Sequence, residues 1–193
     1  MFEEVFVRYH VRSDRRITIR SVVSAGLIAL AVILPQIVHI ALGQPGGITW
    51  LPMYLPVLLG GCLLGAKWAF GVGILSPIVS FLFTSTVLKQ PMPPAARLPF
   101  MMAELAVFAV VSGLFSGKIA QKPIWALPAV LTAQIAGRGT FLLLALIFQS
   151  VSPIRVAVVW QNILGGFAGL VSQWILVPVL MFLFQKAFLN DHE

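Results

Sequence analysis

The stretch SVVSAGLIALAVILPQIVHIALG, from Ser21 to Gly43, contains no Asp, Glu, Lys or Arg, and its reading decides what kind of protein this is. At about 1.5 Å of rise per residue, a helix of roughly 23 residues reaches about 34 Å, enough to cross a hydrocarbon core of ~30 Å. The run is longer than the apolar centre of a signal peptide, and no convincing small-residue cleavage site follows it. It therefore reads as a helix of the mature chain. The rest of the composition agrees. Of 193 residues, 59% are apolar and 10% charged, with a mean hydropathy of +0.97, which an ordinary water-soluble fold does not carry. Intrinsic disorder, a nucleic-acid module and a secreted disulfide scaffold each need more charge, polar surface or cysteine than this. The single cysteine, Cys62, cannot form an internal disulfide.

Working outward from that run, breaks at charges, Pro and Gly mark six apolar spans at about 21–43, 51–66, 68–88, 98–117, 124–148 and 157–185. The expected fold is an all-α membrane protein, a bundle of six transmembrane helices over 21–186. A basic amphipathic segment, 1–20, precedes it and a short tail, 187–193, follows. The second span is short and glycine-rich (Gly60, Gly61, Gly65) and predicts a tight hairpin with the third. The last is long enough to tilt or to run past the bilayer.

Orientation follows from the thirteen Lys and Arg. With the amino terminus inside, Arg8, Arg12, Arg15, Arg16, Arg20, Lys67, Lys118, Lys122 and Lys186 are cytoplasmic, while Lys89, Arg97 and Arg155 are external and Arg138 lies within a span. That imbalance predicts both termini on the cytoplasmic side. The arginines of the first twenty residues would meet anionic lipid along the inner leaflet. External connections then fall at about 44–50, 89–97 and 149–156, two of them with turn chemistry: Gln44-Pro45-Gly46-Gly47 and Gln90-Pro91-Met92-Pro93-Pro94. They either cover a site or only join helices.

Small residues recur four apart at Ala25 and Ala29, Gly61 and Gly65, Ala109, Gly113 and Gly117, and Gly165 and Gly169. In lipid such stripes let helices approach closely, and for most of these pairs the expected role is packing inside the bundle. Within the spans, apart from His39 near an outer end, the ionisable residues are Glu104 and Arg138. Charged groups at membrane depth are costly and turn inward. By helix rise they lie about 9 Å and about 15 Å from the outer ends of spans four and five. A Glu104–Arg138 pair across neighbouring helices is expected, either as a structural ion pair or as two poles of a polar pocket. Gln134 lies one turn from Arg138, and Trp160, Gln161 and Asn162 start the last span at the same level as Trp50. Together they suggest a cup opening outward, with one cation, one carboxylate, amide groups and aromatic walls. Tryptophans at that level also serve as interfacial anchors.

Catalysis has no comparable set of residues. There is no His-Glu-x-x-His, Gly-x-Ser-x-Gly, P-loop, paired-Asp motif or Cys/His cluster with metal spacing, so neither an enzyme nor a metal site is expected. His10 and His192 lie in the cytoplasmic ends. Without an ATP-binding motif or a clear inverted repeat, a transport role would need a partner.

The residues Leu51-Pro52-Met53-Tyr54-Leu55-Pro56-Val57-Leu58-Leu59-Gly60-Gly61, then Gly65, Gly71, Gly73, Ser76-Pro77 and Ser80, then Met92-Pro93-Pro94 and Met101-Met102-Ala103-Glu104-Leu105, carry a resemblance. The chain resembles the substrate-binding S components of energy-coupling factor (ECF) transporters, most closely over spans two to four. The resemblance implies a six-helix subunit of a bacterial plasma membrane, an ABC-type system for vitamin uptake. Such a subunit captures a vitamin or related micronutrient outside and joins a transmembrane coupling subunit and two ATPase subunits. ATP is used by those partners, and this chain needs no cofactor. It further implies a coupling-subunit interface at Ala25 and Ala29, and a substrate site at Glu104, Gln134, Arg138, Trp160, Gln161 and Asn162 with Trp50 in a lid. The alternative is a structural membrane scaffold that recruits partner subunits. An intramembrane enzyme is a third and weaker reading of the same spans.

Overall fold

The computed structural model describes residues 1–150 and 154–190. Part of the expected 149–156 connection, and His192 in the expected tail, lie outside the described residues. Among the described residues nine α-helices follow in order: α1 (Phe2–Arg8), α2 (Ser13–Trp50), α3 (Tyr54–Leu64), α4 (Ala66–Thr86), α5 (Leu98–Leu114), α6 (Ser116–Gln121), α7 (Ala126–Ile147), α8 (Val156–Gly165) and α9 (Phe167–Gln185). Short 3-10 turns at Ala95–Arg97 and Pro123–Trp125 lead into α5 and α7. Among the described residues there is no strand.

Among the described residues five helical segments are long and apolar enough to cross a membrane: Arg15–Gly43, Ala66–Thr86, Ala95–Leu114, Pro123–Ile147 and Phe167–Phe188. The architecture is a bundle of apolar helices of the multi-pass membrane kind. The expected count of six full spans changes in two places. The span expected at 51–66 is the 11-residue α3, which at ~1.5 Å per residue reaches only about half the hydrocarbon thickness. Gly65 closes it with φ 82°, a conformation open to glycine, and α4 begins at the next residue. The span expected at 157–185 is divided at Gly165-Gly166 into α8 and α9.

The first connection also differs from expectation. Gln44 to Gly47 are helical, not a turn, and α2 resumes after a break at Gly43, whose φ is 72° and ψ −173°. Glycine takes that conformation without strain, and Pro45 then falls in the first turn of the resumed helix, where no backbone N–H is needed. The amino-terminal segment is divided between α1 and the start of α2. In α1, Phe2 and Phe6 are buried, and Phe2 meets Phe184 of α9 at 5.5 Å between ring centroids. Glu3 pairs with Arg16 and Arg20 at the start of α2, and both guanidiniums lie over the Phe6 ring.

The centre of the bundle is α5, flanked by α3, α4 and α7. Small side chains mark the closest helix contacts, Phe108, Leu105 and Leu58 fill the core between them, and many other large apolar groups face outward. Ala69, Ala109, Ala129 and Ala133 are fully buried, whereas Ile33, Ile37, Leu82, Ile135, Leu143, Ile175 and Phe182 are exposed. This is the pattern of helices that pack closely in lipid, where large apolar groups lose nothing by facing outward. Gly73 carries one of the close approaches: a Cβ there would lie 2.6 Å from the Leu105 carbonyl oxygen and 2.9 Å from the Ala106 Cα, so α4 and α5 touch backbone to backbone. Gly137 on α7 similarly faces Phe108 and the Glu104 carbonyl on α5. Ala109 and Gly113 pack inside as expected, whereas Gly117 opens onto free space.

Candidate ligand cavity

The helix contacts at Gly73 and Gly137 draw α4, α5 and α7 together, and Glu104 on α5 faces Arg138 on α7 across the buried gap. Arg138 Nη1 lies 2.8 Å from Glu104 Oε1, an ion pair whose carboxylate is fully buried. Tyr54 at the start of α3 completes the cluster. Its hydroxyl donates to Glu104 Oε2 at 2.8 Å and accepts from Arg138 Nη1 at 3.5 Å. The Arg138 guanidinium also lies over the Tyr54 ring, 4.8 Å from its centroid, and Phe108 packs edge-on with that ring at 5.2 Å. Three helices thus converge on one charge pair, which burial alone would penalise and which the phenol and its ring stabilise.

Above this cluster is a cavity of about 570 Å³, in the range of small-molecule sites. Tyr54, Arg138 and Asn162 line it, with Pro35 and His39 of α2, Leu51 to Met53, Met101 of α5, Arg97 and the segment from Lys89 to Pro94. It lies at the end of the bundle opposite α1, since α4 starts beside Gly113 and Ser116 near α1 and ends at the Lys89 segment. His39 is oriented from its own helix: its Nδ1 is 2.7 Å from the Pro35 carbonyl oxygen, which can only accept. A smaller cavity of about 290 Å³ shares His39, Gln90 and Met92 with the first and is otherwise lined by Gln36, Ile40 and Gly43 of α2 and by Leu88.

The proline-rich segment is a wall of the cavity because α4 grips it. Ser80 Oγ donates to the Met92 carbonyl at 2.9 Å, and Thr84 Oγ1 accepts from the Met92 N–H at 2.8 Å while donating to the Ser80 carbonyl at 2.7 Å. The connection at 90–94 is therefore a wall of the cavity pinned to α4. Thr84→Val leaves the Met92 N–H without its acceptor, and we expect a loss of about 1–3 kcal/mol, the cost of an orphaned part-buried donor. Faster amide exchange at 90–94, with exchange in α5 unchanged, is the measurement that checks it.

The other expected site residues are distributed differently. Asn162 lines the cavity, but Trp160 and Gln161 on the same helix are exposed and do not. Successive helical residues point about 100° apart, so Val159, Asn162 and Ile163 turn inward and their neighbours outward. Trp50 is 46% exposed and is also outside the lining. Gln134 is buried in a network of its own. Its Nε2 donates to Gln173 Oε1 at 3.0 Å, its Oε1 accepts from Trp174 Nε1 at 2.5 Å, and Gln173 Nε2 donates to the Leu51 carbonyl at 3.4 Å. That network fastens α7 to α9 and to the turn that presents Tyr54. Reasoning from sequence missed Tyr54, Gln173 and Trp174. For Tyr54 a signal existed: it is one of two tyrosines in the chain, set between prolines at the start of an apolar span.

Among the described residues no group of His, Cys, Asp and Glu could hold a metal ion. The geometry defines a class: a helical bundle of membrane type with a polar-floored cavity at one end. Comparison with family models, curated proteins and solved structures finds no match for this chain.

Proposed function

We propose that the chain is the membrane-embedded substrate-binding subunit of an ECF-type transporter, capturing a vitamin or related micronutrient outside and delivering it inward with partner ATPases. In this reading α3 is the short second of six helices, α8 and α9 together are the sixth, both termini are cytoplasmic, and the cavity opens outward. The observation that carries the proposal is the cavity itself, floored by the buried Tyr54–Glu104–Arg138 cluster and walled by a pinned segment. A bundle that served only to recruit partners has no use for a costly charge pair beneath an open cup. The motifs that resemble S components also supply Tyr54, Ser80, the Met92 segment and Glu104, all of them in or beside the cavity.

Ala25 and Ala29 are exposed on α2, and nothing lies within 4 Å of where a Cβ would sit on Gly26 between them. This smooth strip suits close approach by a helix of the coupling subunit. Ala25→Trp or Ala29→Trp is expected to block co-purification with the ATPase module and to leave ligand affinity unchanged. The proposal as a whole is tested by native mass spectrometry of freshly purified protein, with a retained small molecule as the expected result. An empty protein that also fails to support uptake in cells would favour the scaffold reading.

A further inference from the structure

The charges around the cavity do not balance. Lys89, Arg97 and Arg138 all line it, and among the described residues no Asp or Glu does. In the whole chain the only acidic residue between positions 15 and 190 is Glu104, and Arg138 and Tyr54 already engage it. Lys89 is exposed and Arg97 half-buried, so the uncompensated positive charge is theirs, while Arg138, 6% exposed at the floor, is balanced by Glu104.

The donors at the floor are also incompletely used. Arg138 directs Nη1 to Glu104 and Tyr54, whereas Nε and Nη2 are buried and have no partner among the described residues. Those two atoms form one edge of the guanidinium, with parallel N–H bonds spaced to match the two oxygens of a single oxyanion. Arg97 Nε is likewise buried and unpartnered, while its guanidinium lies over the Phe141 ring at 5.4 Å. Buried donors without acceptors are costly, and three of them belong to two cations that line one cavity; the one unpartnered acceptor beside them, Glu104 Oε1, faces Arg138 Nη1 at 2.8 Å rather than these donors.

We infer that the cavity takes a small organic oxyanion, a carboxylic acid or phosphate ester, whose charged group meets Arg138 and Arg97. Its carbon body rests against Leu51, Pro52, Met53 and Met101. This rests on the substrate-binding reading above and narrows it, excluding neutral and cationic nutrients. Lys89 at the rim steers the anion inward, so association slows as salt is raised.

The test uses the full chain purified in detergent. Any compound retained in native mass spectra is released and identified. Thermal stabilisation is then measured with matched pairs: nicotinate and nicotinamide, biotin and biotinamide, pantothenate and pantothenol, flavin mononucleotide and riboflavin. The expected result is a retained acid or ester, or stabilisation by the anionic member of a pair alone. Arg97→Gln is expected to weaken it at least tenfold, and Arg97→Lys less. Arg97 stands outside the Glu104 ion pair, so its variants keep the fold when Arg138 variants do not. A retained neutral or cationic compound, or equal stabilisation by both members of a pair, overturns the inference and leaves the substrate-binding reading standing. No retained compound and no stabilisation by any member overturns both.

Discussion

Arg138→Leu is expected to cost about 3–5 kcal/mol of stability, because it leaves the Glu104 carboxylate buried without its cation. The effect should exceed that of removing any other single polar side chain in the bundle, since Tyr54 alone would then hold the charge. The double variant Glu104→Leu/Arg138→Leu removes both ions together and is expected to recover most of the loss, as apolar replacements of buried pairs commonly do. On the proposed function, ligand binding and uptake vanish in the double variant while assembly with partners persists. Unfolding in a detergent titration separates the two variants. Equal instability of both would show that the pair does not hold the helices together by its charge.

The second large effect is expected at Gly73→Leu. The obstacle there is backbone: the Leu105 carbonyl and the Ala106 Cα stand where the new side chain must go, and neither has a rotamer to change. The helices α4 and α5 would have to part, at a cost of about 3 kcal/mol or more, the upper end for overpacked interiors. Gly71→Ala, two residues away on the same helix with nothing within 4 Å of its Cβ position, is expected to stay within about 1 kcal/mol and on the stabilising side. The thermal midpoints of the two variants in one detergent decide the matter. A similar loss at both positions would point to helix propensity and away from the contact.

Much of the fold was legible because the bilayer imposes a length on apolar runs. Ser21 to Gly43, 68–88 and 124–148 were each found within a few residues of helices in the structure. Where the reading failed, a local signal had two meanings. Gln44-Pro45-Gly46-Gly47 has the composition of a turn, but one glycine just upstream absorbs the irregular backbone and frees Pro45 to start a helix. Glycine at Gly165-Gly166 divided a run that hydropathy alone reads as continuous.

The site was half visible for a related reason. Rarity marks a charge inside an apolar span, so Glu104 and Arg138 stood out, and antiparallel neighbours were enough to pair them. Trp160, Gln161 and Asn162 were grouped because they adjoin in sequence, although a helix sends adjacent residues to different faces. Gln134 was credited to the cavity because it lies one turn from Arg138. A buried amide is satisfied by whatever partners are nearest, and here those are Gln173 and Trp174, far along the chain. Tyr54 depended on a turn geometry at Leu51 that no periodicity encodes, with φ 48° and ψ 50°.

The bare contact at Gly73 governs which parts of the molecule can yield. Two rods touching without side chains between them cannot slip by a fraction of a turn before their peptide groups collide, so α4 and α5 act as a single stiff plate. Any widening of the mouth therefore falls to other elements, such as α2 where its chain direction is already relaxed at Gly43, and not to the seam where Gly169 of α9 meets the backbone of Thr49 and Trp50.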